Sequence, residues 1–542
     1  MLLNKRKEEG FTLIELLAVI VVLAFIMVIV IPETMKTIEK SRKKTFENNM
    51  RDLTKTISLK QKELMLDKAP KILRFDYTDG VEKSNLSSVS LNYDGDVPEN
   101  GTIVINTEGK TSLALHNGTY CATKNFFDDD IIIEKKPKEE CTIILSDKTF
   151  LIVIEDEFGE DYEPKINDII SVDDGYVAVG ELWADDDNEY DAFIIKLNLN
   201  GDVEWRSRFG GSGSDEFYSV TSTTDGGYIV VGDSNSTDII INNNPLGNFG
   251  RYDAIIVKYD ANGGVEWAKT VGGSDWDKFD SVTSTTDGGY IAVGWSYSSS
   301  IKVNEEISLT LSGWEDAIIV KYDVNGDVKW AKNVGESGCW AGFYSVTSTI
   351  DGGCVAVGSI STSSGDKGLI VKYDKDGNVE WEDKYGNNDS FVIVTSTLDG
   401  GYIVCGYDGD NANHYIIKYN ASGRIIRRIN FSNNNGDDKI YDIIPASDGG
   451  YIVVGVESVY ESYSLGIIVK YDANGKFKSK ETFGVENTYT ELVCITQTNN
   501  SLLEGYIIGG WSNDEELVNN SDYCGFILKV GLDGKLSLNQ NE

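Results

Sequence analysis

Histidine is almost missing from this chain: only His116 and His414 occur among its 542 residues. The sequence also lacks the G-x-S-x-G elbow, the H-E-x-x-H zinc motif, the P-loop and the G-x-G-x-x-G dinucleotide fingerprint. Acids are so numerous, with 87 Asp and Glu residues, that no two of them can be singled out as a glycosidase pair. We therefore predict that the chain is not an enzyme and that it uses no cofactor.

The seven cysteines form no C-x-x-C motif, which excludes the usual zinc and thioredoxin-like signatures. Five of them, such as Cys354 and Cys405, fall mostly at strand-like positions and are interpreted as buried free thiols. Cys121 and Cys141 lie outside the repeats described below, so a bridge between them would close a short loop. By chain-entropy arguments such a bridge would contribute about 3 kcal/mol.

Positive charge is scarce outside the N-terminus. The formal net charge is −38, although residues 1–70 carry 13 Lys and Arg against nine Asp and Glu. The remainder of the chain is therefore strongly acidic and repels phosphate backbones, so we predict that nucleic acid is not a partner. Solubility at a surface accounts for most of this acidity.

One long apolar segment is present. Residues 11–31 are apolar except for Thr12 and Glu15, and this length spans a bilayer as a helix. No small-residue cleavage site follows the segment, because it ends in Ile31-Pro32-Glu33. A carboxylate among lipid tails costs about 2.5 kcal/mol or more, so Glu15 calls for an explanation.

The stretch Glu8-Glu9-Gly10-Phe11, after a short basic leader, closely resembles the class III leader of type IV pilins and pseudopilins. The resemblance implies that a prepilin peptidase removes residues 1–10 by cutting after Gly10 and methylates the amine of Phe11. It also implies that Glu15 pairs with the amine of a neighbouring pilin subunit during filament assembly. The alternative is an ordinary single-pass anchor with a stray glutamate.

The transmembrane and assembly helix is predicted over residues 11–69, kinked at Pro32 and ended by Ala69-Pro70. Its apolar residues beyond the membrane recur at helical spacing: Met35, Ile38, Phe46, Met50, Leu53, Ile57 and Leu64. Residues 70–144 read as a small strand-rich unit with a hairpin around Glu108-Gly109. In pilins such a sheet packs on the helix and a disulfide often staples its end, a role that Cys121 and Cys141 would fill.

The rest of the chain repeats seven times, each copy centred on a variant of DGGYIVVG. Each copy offers four short strands, A to D, such as FYSVTST, GYIVVG, AIIVKYD and GVEWAKT. The pattern resembles bacterial β-propeller repeats. The expected fold is multidomain: a long α-helix with a small α+β pilin-like domain, then an all-β seven-bladed propeller over residues 145–542. Residues 148–159 are proposed to add a strand to the last blade and close the ring.

Repeated residues are interpreted as structural. Trp205, Trp267, Trp330 and Trp381 each follow a turn glycine by four residues and are expected to pack between blades. The Asp-rich turns, such as DKDG, lack a complete calcium loop, so we interpret them as hairpin turns and predict no metal site there.

The connections from strand B to C and from strand D to A share one face of such a ring. Six further tryptophans are assigned to these connections as candidate ligand anchors, against the alternative that they fold over the blades as lids: Trp183, Trp276, Trp295, Trp314, Trp340 and Trp511. Asp185, Asp186 and Asp187 lie in the same region, as a cation site or as a solvated loop.

Together these features predict a minor type IV pilin-like subunit that displays a propeller for adhesion to a surface glycan or protein. Its partners are the prepilin peptidase, other pilin subunits and, before assembly, the membrane. It is located in the inner or cytoplasmic membrane as a precursor and then in an extracellular filament or at the cell surface. The alternatives are a pseudopilin that binds cargo for type II secretion or DNA uptake, and a pilus-borne enzyme.

Overall fold

The computed structural model describes the following residues: 31–65, 73–78, 81–84, 98–105, 111–124, 131–138, 141, 151–154, 158, 162–184, 189–199, 201–411, 413–431, 438–446, 448–459, 463–484, 488–498, 505–513 and 524–531. The chain divides into two compact units, Met1–Ser146 and Asp147–Glu542. Gly10, Phe11 and Glu15 lie outside the described residues, as does the apolar segment up to residue 30.

Within its described residues, the first unit combines one helix with one antiparallel sheet. Helix α1 is Ile31–Met65, and the six strands lie in the order β2-β1-β3-β4-β5-β6. The strand bounds are β1 (Leu73–Thr78), β2 (Val81–Ser84), β3 (Asn100–Ile105), β4 (Thr111–His116), β5 (Cys121–Lys124) and β6 (Ile132–Glu134). Strands β3 and β4 pair as the expected hairpin, whose turn lies outside the described residues.

The apolar stripe of α1 is buried in its middle and exposed at its start. Phe46, Met50, Leu53 and Ile57 share a core with the strands of the sheet, as the helical spacing predicts. Met35 and Ile38 are instead 64% and 53% exposed, so the expected stripe is wrong at these two positions within the described chain. The buried part of the stripe begins at Phe46, whereas nearer the start of α1 the contacts are polar, such as the hydrogen bond that the Tyr120 hydroxyl donates to the carbonyl of Glu39 at 3.1 Å. Among the described residues no helix is long and apolar enough to cross a membrane.

A disulfide joins Cys121 to Cys141 at the edge of this sheet, with 5.5 Å between their Cα atoms. Both half-cystines are buried against Ala114 of β4. Of the remaining cysteines, Cys339 is partly exposed, and the others are buried: Cys354, Cys405, Cys494 and Cys524.

The second unit begins with a short strand, β7 (Leu151–Val153), and continues through seven four-stranded antiparallel sheets, I to VII. The strands A to D of sheets I to III are β8 (Tyr162–Val172), β9 (Gly175–Ala184), β10 (Glu189–Asn198), β11 (Val203–Phe209); β12 (Asp215–Ser222), β13 (Tyr228–Ser234), β16 (Asp253–Tyr259), β17 (Val265–Val271); β18 (Asp277–Ser284), β19 (Tyr290–Ser296), β22 (Asp316–Tyr322), β23 (Val328–Val334). The B–C connections of sheets II and III carry hairpins made of β14 (Ile240–Ile241), β15 (Asn244–Pro245), β20 (Ser300–Lys302) and β21 (Ser308–Thr310).

The strands of sheets IV to VII follow the same order. They are β24 (Ala341–Ser348), β25 (Cys354–Thr362), β26 (Gly365–Tyr373), β27 (Val379–Tyr385); β28 (Asp389–Ser396), β29 (Tyr402–Asp408), β30 (Asn413–Tyr419), β31 (Ile425–Asn430); β32 (Lys439–Pro445), β33 (Tyr451–Val459), β34 (Tyr463–Tyr471), β35 (Phe477–Phe483); β36 (Thr490–Gln497), β37 (Tyr506–Ser512), β38 (Cys524–Val530). The fourth strand of sheet VII is β7, which pairs with β38. The predicted closing strand is therefore confirmed.

The A strands connect the sheets in a closed circuit. Each A strand contacts the A strand of the next sheet, and β36 of sheet VII returns to contact β8 of sheet I. A bulge interrupts each A strand, and the side chain just after it reaches the next sheet. Asp168, for example, accepts a hydrogen bond from the N–H of Val220 at 2.9 Å, and Ser219 accepts one from Val282 at 3.3 Å. This all-β arrangement is consistent with a propeller.

The repeated tryptophans pack between neighbouring sheets, as predicted. A Cβ atom added to Gly263 of sheet II would lie 2.5 Å from the Trp205 ring of sheet I, and Nε1 of Trp205 donates to the carbonyl of Ala261 at 3.1 Å. Trp267, Trp330 and Trp381 contact the corresponding turn glycines of the next sheets. These glycines have positive φ, +82° for Gly263, which leaves room for the ring.

The Asp-rich turns are hairpin turns, as predicted. Asp260 Oδ1 accepts hydrogen bonds from the N–H groups of Asn262 and Gly264 at 2.8 and 2.9 Å. Asp323 and Asp374 make the same pair of bonds in later sheets. The carboxylates are thus engaged by the turn backbone itself.

Candidate functional site

The B–C and D–A connections meet on one face of the second unit. Residue Trp276 precedes strand A of sheet III, and its carbonyl accepts a hydrogen bond from Tyr297, just after strand B, at 2.8 Å. Trp340 does the same in sheet IV with Ser361 at 2.7 Å. Parallel bridges, Tyr252 with Trp276 for example, link this edge to the preceding sheet. The face defined by these connections is called the loop face below.

The six candidate tryptophans occupy two kinds of position. Trp276, Trp314 and Trp340 lie in connections, as expected. Trp183, Trp295 and Trp511 do not: they are late residues of strands β9, β19 and β37, which corrects their assignment to B–C connections. The reason is that ladder pairing continues past the repeat motif, as in the pairing of Trp511 with Glu491.

Exposure separates these side chains further. Trp314, Trp340 and Trp276 are 65%, 54% and 43% exposed, while the other three are half-buried. The rings of Trp314 and Trp340 lie 6.1 Å apart between centroids, tilted by 57°. Both rings are therefore accessible from solvent on the loop face.

A pocket of about 340 Å³ opens on the loop face between sheets VII and I. Its volume lies within the roughly 300–1,000 Å³ that ligand sites occupy. Two of the candidate tryptophans, Trp183 and Trp511, line it. The pocket is also lined by four polar side chains: Glu163, Lys165, Glu181 and Tyr190. We call this cavity the VII–I pocket.

Neighbouring strands set the geometry of the VII–I pocket. Trp183 pairs across the ladder with Tyr190, and their ring centroids lie 4.7 Å apart. Lys165 Nζ lies 3.2 Å from Glu181 Oε1, whose side chain is mostly buried. The pKa of Tyr190 is raised, first by burial and then by the nearby carboxylates of Glu181, Glu216 and Glu163, against which Lys165 acts. The pocket therefore has a negative potential and aromatic walls.

A buried ionic cluster that the sequence did not predict lies beside the pocket, in sheets II and III. The ammonium of Lys278 lies 3.4 Å from the centroid of the Tyr218 ring and 3.3 Å from Asp280 Oδ1. Burial raises the pKa of Asp280, while Lys278 and a hydrogen bond from Trp295 act in the opposite direction. Trp295 thus has a structural contact that its sequence position gave no sign of.

The structure describes both histidines but not the three acidic residues that the sequence offered as a cation site. Asp185, Asp186 and Asp187 lie outside the described residues. In the described part of the chain, no group of three or more His, Cys, Asp or Glu side chains is arranged to hold a metal ion. His414 is buried, which lowers its pKa to about 4, and His116 lies in the other unit, where its Nε2 is 2.9 Å from the carbonyl of Lys136.

Buried aspartates hold the connections of the loop face in place. Asp215 Oδ2 accepts a hydrogen bond from the N–H of Gly211 at 2.9 Å, and Asp277 Oδ2 accepts one from Gly273 at 2.7 Å. Asp253 Oδ2 accepts one from Phe249 at 2.5 Å. Burial is the largest cause that raises the pKa of Asp215 and Asp277 to about 6 and that of Asp253 to about 7.

These shifts predict a pH dependence of stability. An unfolded Asp has a pKa of about 3.9, so between about pH 4 and 7 the folded chain binds more protons than the unfolded chain. The free energy of unfolding should therefore fall as the pH rises from 5 to 7.5, which thermal denaturation of the detergent-solubilised chain would measure. Asp253→Asn should flatten this dependence, while the exposed Asp376→Asn should not. A thermal midpoint that rises over this interval would contradict the prediction.

Comparison with known proteins identifies the N-terminus. Residues 5–31 match the family described as the prokaryotic N-terminal methylation motif. The chain carries a prepilin-type N-terminal segment. The resemblance found in the leader is therefore confirmed, whereas cleavage after Gly10, methylation of Phe11 and pairing of Glu15 stay predictions. No curated protein matches the chain.

Solved structures similar to the chain belong to several kinds of protein. A streptogramin B lyase has 13% identity and a TM-score of 0.41, covering 71% of this chain and 98% of that one. YCF48 bound to D1 peptide has 10% identity and a TM-score of 0.39, covering 71% and 96%. The β-propeller domain of the Trilobed protease from Pyrococcus furiosus has 12% identity and a TM-score of 0.37, covering 66% and 97%. At such values the similarity does not extend to ligand or activity.

Proposed function

We propose that the chain is a minor type IV pilin-like subunit whose second unit is a seven-bladed propeller displayed for adhesion to a surface glycan or protein. The observation that carries the proposal is the combination of a prepilin-type motif at residues 5–31 with aromatic side chains gathered on the loop face. Processing by a prepilin peptidase and assembly with other pilins follow from the motif. The loop face then supplies the contact with the ligand.

The first unit supports the pilin part of this proposal. A helix that continues from the motif packs its middle turns against an antiparallel sheet, and a disulfide lies at the sheet edge. This is the α+β arrangement that the resemblance to pilins implies. Precursors would be anchored in the membrane by residues 11–31 and would leave it when the helix enters a filament.

The sizes of the two units support a sparse or terminal position. The second unit runs from Asp147 to Glu542, whereas the first contains residues 1–146. Neighbouring copies along a shaft would compete for the space that so large a domain needs. A subunit of this size fits a few positions at the tip or along the surface, where it can serve adhesion. It does not fit the closely packed positions that form most of a filament.

The exposed tryptophan pair offers the direct test. We expect Trp314→Ala with Trp340→Ala to reduce attachment of piliated cells at least fivefold, because exposed aromatic anchors carry much of the binding free energy. Incorporation into pili and the thermal midpoint should stay unchanged, since both rings are more than half exposed. Attachment of the piliated cells would be scored on a glycan and protein array.

Trp330→Ala is the matched control, because its ring packs on Gly377 of the next sheet and its Nε1 donates to Lys375 at 3.1 Å. That variant should lose stability by about 1–3 kcal/mol, because the ring of Trp330 is partly buried against the next sheet. Undiminished attachment of the Trp314/Trp340 double variant would refute the loop face as the adhesive surface. Release of a cleaved product from the array would indicate a pilus-borne enzyme instead.

A further inference from the structure

The walls of the VII–I pocket combine two kinds of side chain. Trp183, Tyr190 and Trp511 provide aromatic rings, and Glu163 and Glu181 provide carboxylates. Aromatic rings attract a cation through their quadrupole, and carboxylates attract it through charge. A neutral sugar would stack on the rings and donate hydrogen bonds from its hydroxyl groups to the acids, but it lacks the charge that draws a cation to them.

The charge balance of the pocket favours a cation. Among the described residues that line it, Glu163 and Glu181 are acidic and Lys165, 3.2 Å from Glu181, is basic. A third carboxylate, that of Glu216, acts on Tyr190 from the adjoining sheet. The second unit also carries most of the net charge of −38, so positively charged ligands are drawn toward it over longer distances.

The chain contains its own example of the same chemistry. In sheet III, the ammonium of Lys278 lies over the ring of Tyr218 and beside the carboxylate of Asp280. Lys278 and Lys165 each come just before the residue at which the bulge of strand A begins. At the VII–I junction, however, Lys165 turns to Glu181 in its own sheet, and a cavity of about 340 Å³ opens beside it.

We propose that the VII–I pocket binds the ammonium group of an organic cation, held between the rings of Trp183, Tyr190 and Trp511 and the carboxylates of Glu163 and Glu181. The cation proposal rests on the proposed function and adds to it the class of ligand that the loop face binds. An amino sugar, a choline headgroup and a lysine side chain all present this group.

The experiment compares matched cationic and neutral probes on the full chain in detergent, by titration calorimetry. Choline should bind at least tenfold more tightly than 3,3-dimethyl-1-butanol, which has the same shape without the charge. Glucosamine should likewise exceed glucose, and the relative affinities of choline, glucosamine and Nα-acetyl-lysine amide identify the natural source. Equal affinity for the charged and neutral members of each pair, or no binding of any ammonium probe, would overturn the proposal.

Variants separate the pocket from the rest of the loop face. Glu163→Gln keeps the shape of the side chain and should weaken choline binding several-fold, and Trp183→Ala should weaken it at least tenfold. Trp314→Ala, outside the pocket, should leave choline binding unchanged. Equal loss in all three variants would place the cation elsewhere and refute the assignment, provided that thermal midpoints show folded protein.

Failure of this inference can be told apart from failure of the proposed function. Cells that attach through Trp314 and Trp340 while no ammonium probe binds would refute the cation site alone. Choline binding that depends on Glu163, in a chain that is absent from pili, would refute the pilin role and support the cation site.

Discussion

Replacing Glu15 by Ala should leave cleavage after Gly10 intact and reduce incorporation into filaments at least about tenfold. The physical reason is that removing one partner of a buried ion pair leaves the other charge uncompensated, at a cost of about 3–5 kcal/mol. The predicted partner of Glu15 is the methylated amine of Phe11 on a neighbouring subunit, a pairing that rests on the resemblance to pilins. The measurement is quantitative immunoblotting of sheared pili against whole cells, with mass spectrometry of the mature N-terminus.

Glu47→Ala is the matched control, since Glu47 lies partly exposed on α1 and pairs with Arg51, four residues on, at 3.1 Å. Such a surface pair contributes little, so incorporation should stay at the level of the unaltered chain. Unaltered incorporation of Glu15→Ala would refute the pairing argument. A mature protein that retains Met1, or that begins anywhere except Phe11, would refute the pilin role altogether.

Replacing Ile154 by Asp should open the ring at its closing strand. Ile154 is fully buried, and its N–H donates to the carbonyl of Gly525 at 2.9 Å, directly after β7 pairs with β38. A carboxylate there loses the packing of the isoleucine and has to be desolvated, so we expect a loss of about 3–5 kcal/mol in the free energy of unfolding. Chemical denaturation followed by tryptophan fluorescence would measure it.

Ile350→Asp provides the comparison, because Ile350 is 99% exposed in an A–B turn. Its free energy of unfolding should change by less than about 0.5 kcal/mol. Equal stability of the two variants would show that β7 does not hold the ring closed. The same reasoning predicts that a protein truncated to start after residue 158 is much less stable than one that starts at residue 147.

Much of the fold could be predicted because its determinants are local. Alternating apolar residues, Asp-Gly turns and a tryptophan four residues after a turn glycine recur in each repeat, and each acts within a few residues of itself. The predictions of four strands per repeat and of Trp205 packing between sheets were therefore correct. The exposure of Met35 and Ile38 was missed because helical periodicity indicates which face is apolar, while only the sheet decides how far along the helix that face is covered.

The candidate site was predicted less completely, for a different reason. The sequence placed six tryptophans near one face, but Trp183, Trp295 and Trp511 proved to be strand residues. How long a ladder continues beyond a repeat motif depends on the partner strand, and a single repeat does not contain that information. The ionic contacts of Lys278 were likewise invisible, since Tyr218 belongs to another sheet.

By itself, the sequence determined that this protein has a prepilin-type segment at residues 5–31 and a series of four-stranded repeats. Both features depend on residues that lie close together in the sequence. The tertiary structure alone decided that Trp183 and Trp511, from opposite ends of the second unit, line the same pocket. Closure of the ring brings the last sheet against the first, so the two side chains become neighbours although no local pattern connects them.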